Sequence, residues 1–274
     1  MIMTGNKDVP MAGRPDADLP GHWLLARLGK RVLRPGGVEL TSRLLRAAAI
    51  PGSDVVELGP GMGRTAVDIV ALQPRSYIGV DDTAAATEVV KEVVAPCGGR
   101  VVVSSAADTG IATASADVVV GEAMLTMQGD KAKTAIVDEA FRVLRPGGRY
   151  AIHELALYPD SLSQEIKDDV RRDLARSIKV NARPLTSAEW TALLTRSGFE
   201  IASVDHAPMA LLTPARVIAD EGGLGVLRIV GNLLIRPAAR KRVVGMRRTF
   251  RRYGQSLSAV AIVGVVPAGT QAAS

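Results

Sequence analysis

Five short runs rich in Val and Ile recur along the chain: DVVEL (54–58), SYIGV (76–80), RVVVS (100–104), ADVVVG (116–121) and GRYAIHE (148–154), with Ala-rich stretches of helical spacing between them. A nearly continuous apolar strand has no polar face to offer water. Such runs belong in a sheet covered on both sides, and the intervening helices are the cover. The pattern predicts an α/β, doubly wound parallel sheet. Two later runs, FEIASVDHA from Phe199 and LSAVAIVGVV from Leu257, bring the expected strands to seven. Helices should fill the intervals. In KAKTAIVDEAFRVLR, residues Ala135, Ile136, Glu139, Ala140, Val143 and Leu144 follow helical spacing. Thr186 and Ser187 with Glu189 read as a capped helix start, and Gly198 as its stop.

The heptapeptide RVLRPGG occurs twice, at Arg31–Gly37 and at Arg142–Gly148. Arginines followed by Pro and Gly suit a helix end, where cations oppose the negative terminus and glycine takes a left-handed turn. The flanking residues do not match, so the repeat is not a duplicated unit. Both copies are expected to stop a helix, the first outside the sheet and the second just before a strand.

At 274 residues the chain can hold one large domain with accessory segments. The expected layout is an N-terminal helical segment over 1–50 and a main domain over 51–268. Helical insertions at about 155–185 and 213–255 would form a lid. A net charge of +6 is concentrated: ten Lys and Arg against Asp220 and Glu221 fall between residues 214 and 255. Cys97 stands alone, and no Cys/His cluster has zinc spacing, so no metal is expected. Without a secretory apolar run near the start or a membrane-length stretch later, a soluble, cytoplasmic protein is the expectation.

The stretch DVVELGPGMGRTA (54–66) runs a strand into Gly59, Gly61 and Gly63 and then opens a helix. Glycines let a ligand approach bare backbone, and the first helical amides face it. Their spacing is G-x-G-x-G, not the G-x-G-x-x-G of dinucleotide sites. Asp81, ending the next strand, can accept hydrogen bonds from both hydroxyls of a ribose. Glu57, just before the first glycine, would repel a pyrophosphate but suits an ammonium group. Adenosine joined to a cationic amino-acid tail describes S-adenosyl-L-methionine.

VVELGPGMG, the acid in GVDD and EAFRVLRPGGRYAIHE together resemble the class I S-adenosylmethionine-dependent methyltransferases, especially the small-molecule branch that includes quinone-biosynthesis enzymes. The resemblance implies a Rossmann-like methyltransferase fold with its last strand antiparallel. It also implies that Glu57, Gly59, Gly61 and Gly63 hold the methionine moiety and that Asp81 binds ribose. After the third strand the family usually has G-D-A, whereas this chain has SSAAD, with Ser105 in place of the aspartate. Backbone at Ala106 or Ala107 is then the expected adenine partner, and Gly121 and Glu122 would lie beside the reactive methyl.

Methyl transfer needs alignment and exclusion of water more than a catalytic triad. A hydroxyl acceptor is helped by a base. His153, at the end of the fifth strand, is the candidate, with Glu122 or Glu154 as its partner. Trp23, Met124 and Met127, with His22, are candidate acceptor contacts. The expected acceptor is a small apolar or aromatic molecule methylated at oxygen, nitrogen or carbon. One alternative is an RNA or protein methyltransferase docking through the cationic stretch 240–252. Another is a non-catalytic, S-adenosylmethionine-binding regulatory subunit. A DNA partner is not expected, because no N/D-P-P-Y signature follows the fourth strand and Pro96-Cys97 precedes the third. For the basic helix, RNA or an anionic membrane surface is a less favoured partner than solvent.

Overall fold

The computed structural model describes Met11 and residues 13–269, so the reading of residues 1–10 and 12 lies outside the described residues. The strands are β1 Asp54–Leu58, β2 Ser76–Asp81, β3 Arg100–Val103, β4 Ala116–Glu122, β5 Leu144–Leu157, β6 Leu185–Thr186, β7 Glu200–Pro208 and β8 Leu257–Val265. The helices are α1 Gly21–Arg27, α2 Gly37–Ala47, α3 Arg64–Ala71, α4 Ala84–Val94, α5 Asp130–Val143, α6 Gln164–Ile178, α7 Ser187–Arg196, α8 Pro214–Ile235 and α9 Pro237–Arg252.

The sheet runs β3-β2-β1-β4-β5-β8-β7. It is parallel through β5, and β8 is antiparallel to both β5 and β7. All seven expected strands are present. The two-residue β6 is an eighth, pairing in parallel with the end of β5 at Ala156 and Leu157. After β3 the chain crosses to the far side of β1, which opens a crevice over the carboxyl ends of β1 and β4.

One face of the sheet, with Val55, Tyr77, Val118 and Val263, is covered by Leu40 and Leu44 of α2, Ile69 of α3 and Val90 of α4. The other, with Val56, Val119, Ile152 and Ile262, is covered by Ile136 and Ala140 of α5 and Trp190 and Leu194 of α7. The expected start of α7 is a full capping box: Glu189 N–H donates to Thr186 Oγ1 at 3.2 Å, and Thr186 N–H donates to Glu189 Oε2 at 2.8 Å. Trp190 is fully buried and donates its indole N–H to the carbonyl of Leu155.

Two expectations are corrected here. The boundary at residue 51 falls after α2, yet α2 supplies core to the sheet, so the N-terminal segment is continuous with the main domain. The first RVLRPGG copy closes no helix: α1 ends at Arg27, residues 30–34 belong to no helix or strand, and Gly37 begins α2. Only the second copy stops a helix, α5, and it leads directly into β5. The local residues are the same, but the first copy is held out of a helix by Glu221 of α8, whose carboxylate accepts Arg31 N–H at 2.8 Å and Val32 N–H at 2.9 Å. Tertiary hydrogen bonds thereby override local preference.

The segments expected as a lid contain α6, α8 and α9. Leu24, Leu25 and Leu28 of and just after α1 pack with Ala239 and Met246 of α9 in a cluster separate from the sheet core.

Candidate active site

A cavity of about 400 Å³ occupies the crevice above β1, β2 and β4. Its lining includes Glu57, Gly59, Gly61, Asp81, Ser105, Ala106, Ala107, Glu122, Met124, Met127 and Trp23, brought together from separate stretches of chain. Gly63, Gly121, His153 and Glu154 are not in that lining.

Gly59, Gly61 and Gly63 all have positive φ (66°, 54° and 73°), the left-handed region that side chains disfavour. Gly59 is also crowded, since an added Cβ would lie 3.3 Å from Met124 Cβ. Gly63 caps the start of α3 in this conformation. Asp81 fixes the loop from outside: its Oδ2 accepts Gly61 N–H at 3.0 Å and its Oδ1 accepts Thr83 N–H at 2.9 Å. Each carboxylate oxygen retains a second acceptor direction.

Glu57 is buried, and Tyr77 donates its hydroxyl to Glu57 Oε2 at 2.6 Å. The register explains the contact. Val55 pairs with Tyr77 and Glu57 with Gly79, so Tyr77 reaches diagonally along the same face, over a glycine whose missing Cβ leaves it room. Burial pushes the Glu57 carboxyl up to about 8, the Tyr77 hydrogen bond opposing and the neighbouring Glu122 reinforcing the shift. At neutral pH this acid is largely protonated. Glu122 behaves oppositely. Burial works against its charge, but Arg34 first, then His153 and Thr41, outweigh burial and hold its carboxyl down at about 2. Arg34 Nε stands 3.2 Å from Glu122 Oε2, while Thr41 and Thr65 donate their hydroxyls to the two oxygens.

The expectation that His153 and Glu154 act in the cavity is corrected by their contacts. His153 is fully buried; its Nδ1 lies 2.7 Å from Glu122 Oε1, and its Nε2 accepts Gly36 N–H at 3.2 Å. With the amide occupying the Nε2 lone pair, the Nδ1 hydrogen points to Glu122, and neither nitrogen is free for a substrate proton. Glu154 faces the turn after β4. It accepts the amides of Met124, Leu125 and Thr126 at 3.0, 2.7 and 3.0 Å and the Thr126 hydroxyl at 2.6 Å. Burial raises its carboxyl even against these donors. Gly121 is buried beneath the cavity floor, with an added Cβ meeting Tyr150. These three residues shape the site from behind.

Arg34, Thr41, Thr65, Arg64 and Tyr77 were not among the sequence candidates. Arg34 sits in the first RVLRPGG copy, the only local hint that the segment matters. It is nearly fully buried and bonds Asp68 Oδ2 at 2.9 Å, and Arg64 bonds Asp68 Oδ1 at 3.0 Å. Arg34 Nη1 and Arg64 Nε are buried without a hydrogen-bond partner. The segment 31–34 also contributes Arg31 and Leu33 to the cavity, and α1 contributes His22 beside Trp23, their ring centroids 4.6 Å apart.

This donor set fits S-adenosyl-L-methionine. Bare glycine backbone lines the cavity together with Arg34 and Arg64, each of which keeps one guanidinium nitrogen without a partner, a bidentate acid ends β2, and small residues 105–107 follow β3. A carboxylate-bearing tail could take the free guanidinium hydrogens, and Asp81 could take ribose hydroxyls.

A family described as a methyltransferase domain matches residues 55–148. An uncharacterized protein of Haemophilus influenzae is 31% identical over 250 residues, covering 89% of this chain and 97% of its own length. A probable S-adenosylmethionine-dependent methyltransferase of Mycolicibacterium smegmatis is 32% identical over 199 residues, covering 69% of this chain and 70% of its own. Among solved structures, an S-adenosylmethionine-dependent methyltransferase from Geobacter sulfurreducens, in complex with S-adenosyl-L-homocysteine, superposes with a TM-score of 0.64 at 18% identity, covering 92% of this chain and 99% of that one. With the strand order, the glycine loop and the acid ending β2 in place, these likenesses assign the chain to the S-adenosylmethionine-dependent methyltransferases.

Proposed function

We propose that this methyltransferase acts on a small, apolar or aromatic acceptor bound among Trp23, Leu33, Met124, Met127 and Ile136. One observation carries the reading: these five apolar residues line the same cavity as the glycine loop and Asp81. Two of them come from outside the sheet, on the segment 21–34. Flexible thioethers beside an indole suit an irregular apolar ligand, and a cavity of about 400 Å³ that also takes the cofactor leaves room only for a small one.

In this reading Glu57, Gly59, Gly61 and Gly63 hold the methionine end of the cofactor, with Arg34 and Arg64 at its carboxylate. Asp81 takes the ribose, and Ser105, Ala106 and Ala107 lie at the adenine. When bound, S-adenosyl-L-methionine supplies an electrophilic methyl group on a positively charged sulfur. The protein's part is to align the acceptor and keep water out. Glu122 stays ionised, because Arg34, His153 and two threonines saturate it, and it lends a fixed negative potential to the cavity floor. His22 is the imidazole in the cavity lining. Burial lowers its pKa to about 4, so it is neutral in ordinary buffers; it is a weak base, but its lone pair can take the hydrogen of an acceptor hydroxyl lying beside Gln128 as the methyl transfers. The role expected of His153 thus passes to His22, and His153 becomes a positioning residue for Glu122.

The test is turnover against a panel of phenols, quinols, indoles and amines, with S-adenosyl-L-homocysteine formation as the signal and product mass as confirmation. An apolar aromatic acceptor gaining one methyl group is the expected outcome. Cofactor binding without turnover on any member would favour a non-catalytic role, and turnover confined to RNA or protein would replace the acceptor class.

A further inference from the structure

The second half of α8 presents leucines to solvent. Leu224 is 86% exposed, Leu227 69%, Leu234 68% and Ile235 74%, and Val230 is exposed beside them. At about 100° per residue these side chains, with Gly231, fall within about 140° of one another. No charged residue interrupts that arc. The opposite side of the helix is engaged with the protein. Asn232 Nδ2 donates to the carbonyl of Leu28 at 3.0 Å, Arg228 reaches the carbonyl of Gly29, and Leu233 packs with the leucines of α1. The exposed arc is therefore a second, unsatisfied apolar face.

Next to it, α9 carries exposed Arg240, Lys241, Arg247, Arg248 and Arg251, with Val244 exposed among them. From Gly222 to Arg252 the sequence has nine Lys and Arg and no Asp or Glu, and of these Arg236 and Arg252 pair with Asp16 and Asp173. An aliphatic arc on one helix, followed by exposed cations on the next, narrows the choice of occupant. A second copy would bring its own arginines against these. Nucleic acid would use the arginines but leaves leucines in water, and the helix offers no exposed aromatic ring for bases. A bilayer carrying anionic headgroups satisfies both, taking the aliphatic side chains at the acyl boundary and the arginines at the phosphates. Spanning is not at issue, since no helix among the described residues is long and apolar enough to cross a membrane.

We infer that α8 and α9 dock this protein peripherally on a membrane surface rich in anionic lipid. Glu221, at the kink of α8 where Gly222 has φ 68°, holds Arg31 and Val32. The docked helix is thus tied directly to the segment 31–34 that lines the cavity, which would bring an acceptor dissolved in the bilayer close to the site. The docking stands apart from the acceptor assignment and is measured without turnover.

The experiment is co-sedimentation of the full chain with vesicles of phosphatidylcholine alone and of phosphatidylcholine with phosphatidylglycerol. Binding to the anionic vesicles, weakened by salt, is expected. Replacing Arg247, Arg248 and Arg251 together by Gln should lower partitioning by about a hundredfold. Leu224→Ser combined with Leu227→Ser and Leu234→Ser should lower it by at least about tenfold. Circular dichroism and melting checks that each variant stays folded, as exposed positions allow. Failure of the wild type to sediment with anionic vesicles overturns the inference. So does full binding by the leucine variant, which would leave only a polyanion site such as RNA would use. A dimer that the leucine variant converts to monomer, with no vesicle binding, would assign the face to a second copy instead.

Discussion

Glu122, the last residue of β4, is the cross-strand partner of His153 within β5, and Glu122 Oε1 stands 2.7 Å from His153 Nδ1. The pair links the cavity floor to Gly36, whose amide is held by the other ring nitrogen. His153→Ala should therefore cost stability, about 2 to 4 kcal/mol for a buried polar network losing one member. It should leave the acid limb of the kcat profile where it was. Urea unfolding and a pH–rate series read the two effects separately, and a lost acid limb at unchanged stability would restore His153 as a base.

His22→Ala should behave in the opposite way. For a hydroxyl acceptor, kcat should fall by about 10²-fold while the unfolding midpoint barely moves. An amine acceptor that arrives deprotonated should be nearly insensitive. Equal loss on both acceptors would point to packing against Trp23 rather than proton transfer.

Glu57 carries a sign that can be checked. Its folded-state pKa is about 8 against an ordinary 4.5, so between those values the native state binds more protons than the unfolded chain. Stability contributed by this group is full below about pH 4.5 and is lost as pH rises towards 8. Glu57→Gln should flatten that slope and be relatively more stable than wild type at pH 8 than at pH 5. A cationic ammonium bound beside Glu57 would also draw out its proton. Calorimetry of S-adenosyl-L-methionine binding near pH 7, in buffers of different ionisation heat, should show proton release in wild type and less in Glu57→Gln.

Asp81→Ala removes both the acceptor for Gly61 N–H and the expected ribose contact. Binding of S-adenosyl-L-homocysteine should weaken by about 1.5 to 3 kcal/mol, the usual loss for hydrogen bonds to a charged group. Unchanged affinity by calorimetry would remove Asp81 from the ligand set.

Glu154→Ala deprives the amides of Met124, Leu125 and Thr126 of their acceptor. The expected result is a loss of about 2 to 4 kcal/mol in unfolding free energy. Glu154→Gln keeps the acceptor oxygen and should lose less. Faster amide exchange at residues 124–126 in the alanine variant alone would locate the damage.

The alternation of apolar strand and amphipathic helix was enough to specify the doubly wound sheet, because strands with no polar face must be covered twice. The turn at Gly59, Gly61 and Gly63 and the place of Asp81 were equally legible: a tight strand-to-helix turn needs glycine where φ is positive, and an acid ending β2 is local to its own strand. Roles set by what lies opposite were not. His153 and Glu154 are adjacent in sequence, yet strand alternation turns one towards Gly36 and Glu122 and the other into the turn after β4. Two identical heptapeptides took different conformations because Glu221, nearly two hundred residues away, captures the amides of one and not the other. Local pattern determines which elements form and where backbone is left bare. The partners of a buried proton or charge depend on which distant atoms the packed structure brings within 3 Å, and those only the tertiary fold decides.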